Sequence, residues 1–146
     1  AMDNQYNEQI QNINCVVSEI DGLYHQASVK LGLSDSEARV LYTLYVSEGV
    51  SPISEIYKQS GIGKQTVNSA LRKLEAENVV FLEKIDGRAK QVKLTDTGRE
   101  YAENTIAKLV ELELNAYKCW NEKEIQQYLE LSRKFKQAFR EELEKI

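Results

Sequence analysis

Residues 61–75, GIGKQTVNSALRKLE, decide how this chain of 146 residues folds. Apolar side chains recur there every three or four residues, which predicts a helix from about Lys64 to Glu77 with one buried face. Gly61 is expected to end the preceding element, because glycine readily adopts the left-handed conformation found after helices. The polar side chains of Gln65, Asn68, Ser69 and Arg72 fall on the opposite face of the predicted helix, and Lys64 and Thr66 lie at its leading edge.

A short helix is predicted immediately upstream. Ser51 and Pro52 form a start signal, since serine caps free amides and proline fits the first helical position. This helix is expected to run from Pro52 to Ser60. The inward face of the two helices would consist of Ile53, Ile56, Ile62, Val67, Ala70, Leu71 and Leu74. A short helix, a sharp turn and a second helix with a polar outer face are the parts of a helix-turn-helix.

A β-hairpin is predicted after these helices. The β-prone segments Val79–Leu82 and Gln91–Leu94 flank Asp86 and Gly87, a pair typical of tight hairpin turns. Its tip is basic and carries Lys84, Arg88 and Lys90. The helix-turn-helix and hairpin together predict a winged helix-turn-helix between about Ser51 and Leu94.

Two amphipathic helices are predicted before this unit. The first runs from about Gln5 to Leu31 with one apolar stripe. The second starts at a capping box formed by Ser34 and Glu37 and ends at Gly49.

Two further long helices are predicted after the hairpin. Thr95 would cap a continuous helix from Asp96 to about Cys119, and Asn121 with Glu124 would start the last helix. A core of this size cannot cover long apolar stripes at both ends of the chain, so we expect a second copy of the chain to cover them.

The predicted fold class is therefore mainly α (α+β), a winged helix-turn-helix with a two-stranded β-wing and long N- and C-terminal dimerisation helices. Residues 34–94 would form the DNA-binding lobe, and residues 1–33 and 95–146 a helical dimerisation region, all within one integrated domain.

Charge is distributed unevenly along the chain. The net charge is −4, yet residues 51–99 contain 9 basic and 6 acidic side chains, whereas residues 1–50 and 100–146 are net −5 and −2. Phosphate binding depends on local charge, so the middle third is the candidate nucleic-acid surface.

Other classes of protein are disfavoured by the sequence. No apolar run approaches the roughly 20 residues of a membrane span, and no signal-peptide pattern opens the chain, so we expect a cytoplasmic protein without membrane contact. His25, Cys15 and Cys119 are too few and too scattered for a zinc site. We find no nucleophile elbow or phosphate-binding glycine loop, and expect neither an enzyme nor a cofactor.

The polar face of the predicted second helix suits DNA. Asn and Gln pair with adenine, Arg pairs with guanine, and Ser and Thr contact bases or phosphates. A solvated helix face has a similar composition, so the face alone is not specific. The basic hairpin adds specificity, because such an arm reaches the minor groove, whose negative potential attracts arginine. A winged-helix module that binds proteins or effectors without DNA remains the alternative.

The chain resembles the MarR family of transcriptional regulators. Residues 61–75 are similar to the family's recognition helix, Asp86-Gly87-Arg88 matches its Asp-x-Arg wing signature, and residues 94–98, LTDTG, match its Leu-Thr-x-x-Gly entry into the dimerisation helix. The resemblance covers almost the whole chain. It implies a homodimer held by the first and last two helices, which binds a pseudo-palindromic double-stranded DNA operator as a ligand-responsive repressor.

The resemblance also implies individual roles. The six polar residues of the recognition helix would enter the major groove, and Arg88 would enter the minor groove with Asp86 orienting it through a charge-assisted hydrogen bond. Two positions depart from the usual pattern. Tyr57 occupies a place where helix-turn-helix units usually have alanine, so either the two helices cross differently or Tyr57 turns outward. Gly63 replaces the usual Ser or Asp cap, at a cost of only a few tenths of a kcal/mol.

Other residues have less specific signals. A small aromatic effector is expected between the dimer helices and the DNA-binding lobes, with candidate pocket residues Tyr24, His25, Tyr42, Tyr45 and Trp120. Aromatic side chains at helical spacing are also typical of an ordinary core. Cys15 lies mid-helix without a basic neighbour, so a structural or incidental role is favoured over redox sensing, and Cys119 is expected to pack beside Trp120. The operator sequence, the regulated genes and the effector's identity have no signal in the sequence.

Overall fold

The computed structural model describes residues 3–146, so the first two residues of the predicted dimerisation region lie outside the described part. Ten helices and strands follow one another in these residues: α1 (Asn4–Lys30), α2 (Asp35–Val46), β1 (Val50–Pro52), α3 (Ile53–Ser60), α4 (Lys64–Ala76), β2 (Val80–Asp86), β3 (Ala89–Leu94), α5 (Asp96–Asn104), α6 (Ile106–Tyr117) and α7 (Glu122–Leu143). The predicted mainly α fold with a small antiparallel sheet is confirmed.

The chain divides into two compact units, one ending at Val110 and the other spanning Glu111–Ile146. This division concerns contacts within one chain and does not show which surface a second chain covers. The assignment of residues 1–33 and 95–146 to dimerisation and of residues 34–94 to DNA binding therefore stays a prediction.

The core of the first unit lies where α2, α3 and α4 meet the sheet. Leu41, Leu44, Ile56 and Leu74 are fully buried there. The predicted inward face of the helix-turn-helix is confirmed: Val67, Ala70 and Leu71 are also buried, and Ile53 and Ile62 are partly buried against the same cluster.

The sheet contains a third strand that the sequence did not predict. Its order is β1-β3-β2, with both pairs antiparallel, and Ser51 of β1 lies opposite Val92 of β3. The predicted start signal at Ser51 and Pro52 is wrong in detail. The Ser51 hydroxyl donates to the Pro52 carbonyl oxygen, Pro52 is the N-cap, and the helix begins at Ile53. Proline suits β1 because an edge strand tolerates the missing N–H.

The predicted continuous helix after the wing is interrupted at Thr105. This residue adopts φ −125° and ψ −87° between α5 and α6, and its hydroxyl donates to the Tyr101 carbonyl oxygen at 2.7 Å. Such back-bonding competes with the helical hydrogen-bond pattern and bends helices.

The start of α5 is held by a close approach of two backbone segments. The Thr95 hydroxyl accepts from the Gly98 N–H at 2.8 Å, as predicted for the cap, and donates to the Asn78 carbonyl oxygen at 2.6 Å. The Thr95 N–H donates to the Val79 carbonyl oxygen. A Cβ added at Gly98 would lie 1.9 Å from that same oxygen, which explains the glycine of the Leu-Thr-x-x-Gly motif.

Two other helix boundaries differ in detail from the prediction. Ser34 accepts from the Glu37 N–H as expected, but the Glu37 side chain turns to Lys73 instead of completing the capping box. Asn78, predicted as the cap of α4, follows the observed cap Glu77 with a φ of +61°.

The second unit contains the end of α6 and the whole of α7. Its capping box of Asn121 and Glu124 is formed as predicted. The Trp120 ring packs edge-on between Tyr117 and Tyr128, at centroid distances of 5.1 and 5.3 Å. No helix within residues 3–146 combines the length and apolar character that crossing a bilayer requires.

Candidate nucleic-acid interface

The buried face of α4 holds its polar face toward solvent. Val67 and Leu74 have no exposed surface, and Leu71 is 3% exposed. The turn before α4 is fixed by Gly61, which has a φ of +70°, and by Arg39, whose Nη1 donates to the Ser60 carbonyl oxygen at 2.9 Å. A cation at a helix C-terminus also interacts favourably with the helix dipole. Arg39 therefore ties α2 to the end of α3 and fixes where α4 begins.

Five of the six predicted recognition residues are exposed, and Asn68 is half-buried. They form a connected surface: the Ser69 hydroxyl donates to the Gln65 carbonyl oxygen and accepts from Arg72 Nη2 at 3.1 Å. Lys64 Nζ lies 5.4 Å from the centre of the Tyr57 ring, within the range of a cation–π contact. The helix thus presents amides, hydroxyls and cations together, as the sequence predicts.

Tyr57 lies in the interface between α3 and α4. It is half-buried against the core, and its hydroxyl donates to Asn68 Oδ1 at 2.7 Å. The ring therefore contacts one recognition residue, Lys64, and the hydroxyl contacts another. The sequence shows that Tyr57 departs from the usual helix-turn-helix pattern, but its bond to Asn68 spans eleven residues of chain and has no local signal.

The wing is the β2–β3 hairpin, which turns at Gly87 and Arg88. Lys84 of β2 lies directly opposite Lys90 of β3. Like charges opposite each other destabilise a free hairpin, and an anionic partner would relieve this repulsion. The predicted bond between Asp86 and Arg88 is absent from the ion pairs and hydrogen bonds of residues 3–146, where Asp86 lies opposite Ala89.

A cavity of about 390 Å³ joins the recognition helix to the wing. It is lined by Ile53, Tyr57, Asn68, Leu71, Arg72, Glu75, Leu82, Arg88 and Lys90. Three of the lining side chains are cations and one is a carboxylate. Arg72 of α4 and Arg88 and Lys90 of the wing therefore line the same cavity.

Among residues 3–146, the cations of this surface form no ion pairs, whereas two nearby lysines do. Within the described part of the chain, no ion pair involves any of the five predicted contacts Lys64, Arg72, Lys84, Arg88 and Lys90. Lys93, by contrast, pairs with Glu83 at 3.0 Å. The positive charge on the candidate face is thus available to phosphate.

The remaining lysine of α4 is held by a buried carboxylate. Lys73 Nζ lies 2.8 Å from Glu37 Oε1, and the Glu37 side chain is only 4% exposed. Burial opposes ionisation of Glu37, but hydrogen bonds from Lys73 and Ser34 outweigh it and hold the pKa of Glu37 below its ordinary value of 4.5. Burial and the nearby Glu37 charge raise the pKa of Tyr101 on α5.

Four of the five candidate effector residues lie in the first unit. His25 Nδ1 lies 3.0 Å from both oxygens of Asp35. Tyr42 is partly buried against the core, and Tyr24 is 40% exposed. Burial raises the pKa of Tyr45, as does its hydrogen-bond partner Glu103. Trp120 belongs to the second unit, so the predicted pocket stays a prediction.

The two cysteines are free thiols, and both are exposed. The Cys15 thiol donates to Glu19 Oε1 at 3.3 Å, and the Cys119 thiol donates to the Ala116 carbonyl oxygen. The expected packing role of Cys119 is wrong for the single chain. No group of three or more His, Cys, Asp or Glu residues within residues 3–146 is placed to hold a metal ion.

One family model matches the winged part of the chain. Its description is "Sugar-specific transcriptional regulator TrmB", and it matches residues 28–97, just under half of the sequence. These residues extend from the end of α1 to the start of α5. No curated protein matches this sequence.

Solved structures share the fold over nearly the whole chain. A MarR-family regulator from Neisseria meningitidis is 20% identical with a TM-score of 0.79, over 98% of this chain and 99% of that one. AbsC, a MarR-family regulator from Streptomyces coelicolor, is 15% identical with a TM-score of 0.76, over 96% and 97% of the two chains. MepR of S. aureus, solved in complex with DNA, is 19% identical with a TM-score of 0.64, over 95% and 99%. The chain therefore has the fold of MarR-family regulators, and the predicted resemblance is confirmed.

Proposed function

We propose that this protein is a MarR-like transcriptional regulator that binds double-stranded DNA as a homodimer. The observation that carries the proposal is the cavity lined by Arg72 of α4 and by Arg88 and Lys90 of the wing, cations that form no ion pair within residues 3–146. The MepR–DNA complex and the regulators of similar fold support it.

In the proposed complex α4 enters the major groove and the wing follows the adjacent minor groove. Gln65, Thr66 and Ser69 are exposed and would contact base edges or backbone oxygens. Lys64 and Arg72 would hold the phosphates on either side, and Arg88 would enter the minor groove, flanked by Lys84 and Lys90. Asp86 would orient Arg88 only in the bound state, since the two do not pair in the free chain.

A second copy of the chain is proposed as the partner of the long helices. Within the single chain α7 has no buried residue, and it exposes Ile125, Tyr128, Leu129, Phe135, Phe139 and Leu143. The helix α1 likewise exposes Ile10, Ile13, Val17 and Ile20. Contiguous apolar surface of this kind marks an interaction site. A two-fold dimer would place two recognition helices on half-sites about one helical turn, roughly 10 bp, apart.

A small aromatic acid is proposed as the effector that releases a repressor from DNA. Its candidate contacts are those of the predicted pocket: Tyr24, His25, Tyr42, Tyr45 and Trp120. Thermal-shift measurements with a panel of aromatic carboxylates test this part. A stabilising acid that leaves DNA affinity unchanged would contradict the effector role.

DNA binding is tested by fluorescence anisotropy with duplexes from the promoter of its own operon or a neighbouring one. Arg88→Ala should weaken binding to all duplexes and lower the salt dependence by about one counterion, because the substitution removes a cation that would lie near the DNA phosphates. Gln65→Ala should instead change affinity mainly at particular base pairs. Lys108→Ala, which removes an exposed lysine of α6, is the matched control and should leave binding unchanged.

Absence of binding at low salt by an intact dimer would refute DNA binding. The alternative, a winged-helix module that binds only proteins or effectors, would be favoured by an acidic or neutral face around α4. The cavity beside α4 instead has three cations and the single carboxylate of Glu75. The face is therefore better suited to DNA.

A further inference from the structure

The Asn68 amide is already engaged by another side chain in the free protein. The Tyr57 hydroxyl donates to its Oδ1 at 2.7 Å, close to the ordinary length of an O–H···O bond. The tyrosine ring is half-buried against the core and its hydroxyl reaches Asn68 from α3. The ring packs against that core, so the hydrogen bond draws the carbonyl end of the amide toward α3.

The amino end of the same amide is left for an external partner. Asn68 Nδ2 makes no hydrogen bond among residues 3–146. No side-chain nitrogen or oxygen in that part of the chain is both buried and unpaired, so Nδ2 is open to solvent. Asn68 also lines the cavity between α4 and the wing. The face of α4 therefore presents Asn68 as a hydrogen-bond donor.

This orientation conflicts with the usual contact between asparagine and adenine. That contact needs both ends of the amide: Nδ2 donates to adenine N7, and Oδ1 accepts from the adenine N6 amino group. Guanine offers two acceptors, N7 and O6, on its major-groove edge and no donor. A donor-only amide therefore complements guanine better than adenine.

We propose that Tyr57 is a specificity-determining residue, which orients the Asn68 amide so that α4 selects guanine instead of adenine at one base pair of each half-site. The inference rests on the proposed DNA-binding function and adds a residue outside the recognition helix to the set that determines sequence preference. Tyr57 acts through Asn68 and is a positioning residue.

The variant Tyr57→Phe isolates this effect. It removes only the hydroxyl and keeps the ring that packs against the core and lies beneath Lys64. The preference of wild type and variant is measured by selection from a pool of duplexes randomised over both half-sites, followed by anisotropy titration of the selected duplexes. The same substitution in an Asn68→Ala background tests whether Tyr57 acts through Asn68. Tyr6→Phe, which alters an exposed tyrosine of α1, is the matched control.

We expect Tyr57→Phe to shift the guanine-to-adenine preference at one base pair per half-site by about tenfold toward adenine, the size of one good bidentate contact. The shift should vanish in the Asn68→Ala background and be absent in Tyr6→Phe. A uniform change of affinity at every sequence, an unchanged preference, or a shift that persists without Asn68 would each overturn the inference. Failure of the wild type to bind any duplex at low salt would refute the proposed function and this inference with it.

Discussion

Replacement of Gly98 by alanine tests the junction between the wing and α5. The added Cβ would lie 1.9 Å from the Val79 carbonyl oxygen, 2.8 Å from the Val79 carbonyl carbon and 3.0 Å from Thr95 Oγ1. The same carbonyl oxygen accepts the Thr95 N–H, and Thr95 Oγ1 accepts the Gly98 N–H. The substitution therefore forces apart two segments that are joined by bonds from the Thr95 N–H to Val79 and from the Thr95 hydroxyl to Asn78.

Two opposing effects set the size of the change. Alanine in place of glycine within a helix gains about 0.5–1 kcal/mol. Overpacking costs about 1–3 kcal/mol, and each weakened hydrogen bond at the cap costs about 1 kcal/mol more. The net loss should be about 2–4 kcal/mol, which for a chain of this size lowers Tm by roughly 5–15 °C.

The assay is thermal unfolding followed by circular dichroism at one fixed protein concentration, because the proposed dimerisation would make Tm concentration-dependent. Gly22→Ala is the matched control: Gly22 also lies in a helix, but a Cβ there meets nothing within 4 Å. The control should raise stability slightly, by about 0.5–1 kcal/mol. A Gly98→Ala protein as stable as wild type, or two variants shifted in the same direction, would refute the steric argument.

Three further predictions concern the links between elements. Glu37→Gln should lower the free energy of unfolding at pH 7 by about 1–2 kcal/mol, since the charge-assisted bond to Lys73 is lost. Because folding lowers the pKa of Glu37, this carboxylate stabilises the fold above its unfolded pKa of 4.5, and the stabilisation is lost as the pH falls through the folded pKa. A free energy of unfolding that falls more steeply with acid in the variant than in wild type would contradict this. Arg39→Met should cost about 1 kcal/mol in urea unfolding, because the Ser60 carbonyl oxygen loses its donor; an unchanged midpoint would show that water replaces the guanidinium. Phe139→Glu should produce a monomer in sedimentation equilibrium, since it places a charge on the apolar face of α7, and a dimer of wild-type affinity would exclude this face from the interface.

Helix starts were predictable because their signals are local. A capping hydroxyl or amide and the amide it accepts from lie within three residues, as at Ser34, Thr95 and Asn121. The buried and exposed faces of α4 were predictable for the same reason, because helical periodicity depends only on neighbouring turns. The outward position of Gln65, Ser69 and Arg72 followed from that periodicity alone.

Features that depend on distant segments were not predictable in this way. The strand β1 is three residues long and exists through its pairing with β3, about 40 residues later in the chain. Ser51 and Pro52 predict a helix start, because no neighbouring residue indicates the pairing with β3. The break at Thr105 is a different case: its bond to Tyr101 is local, but a single threonine inside a helical pattern is usually tolerated.

Glu37 shows how a correct local signal is overridden by a distant partner. Ser34 and Glu37 have the spacing of a capping box, and Ser34 does cap α2. The Glu37 carboxylate, however, lies in a buried position where a backbone amide alone would leave a charge poorly compensated. Lys73, 36 residues away on α4, supplies a full positive charge and binds the carboxylate in place of the local amide. The link joins α2 to the same helix whose outer face forms the candidate DNA surface, so its loss should alter the position of α4 as well as stability. Variants at Glu37 should therefore weaken DNA binding without a change in the residues that contact DNA, and normal affinity in a folded Glu37→Gln protein would show that the core alone positions α4.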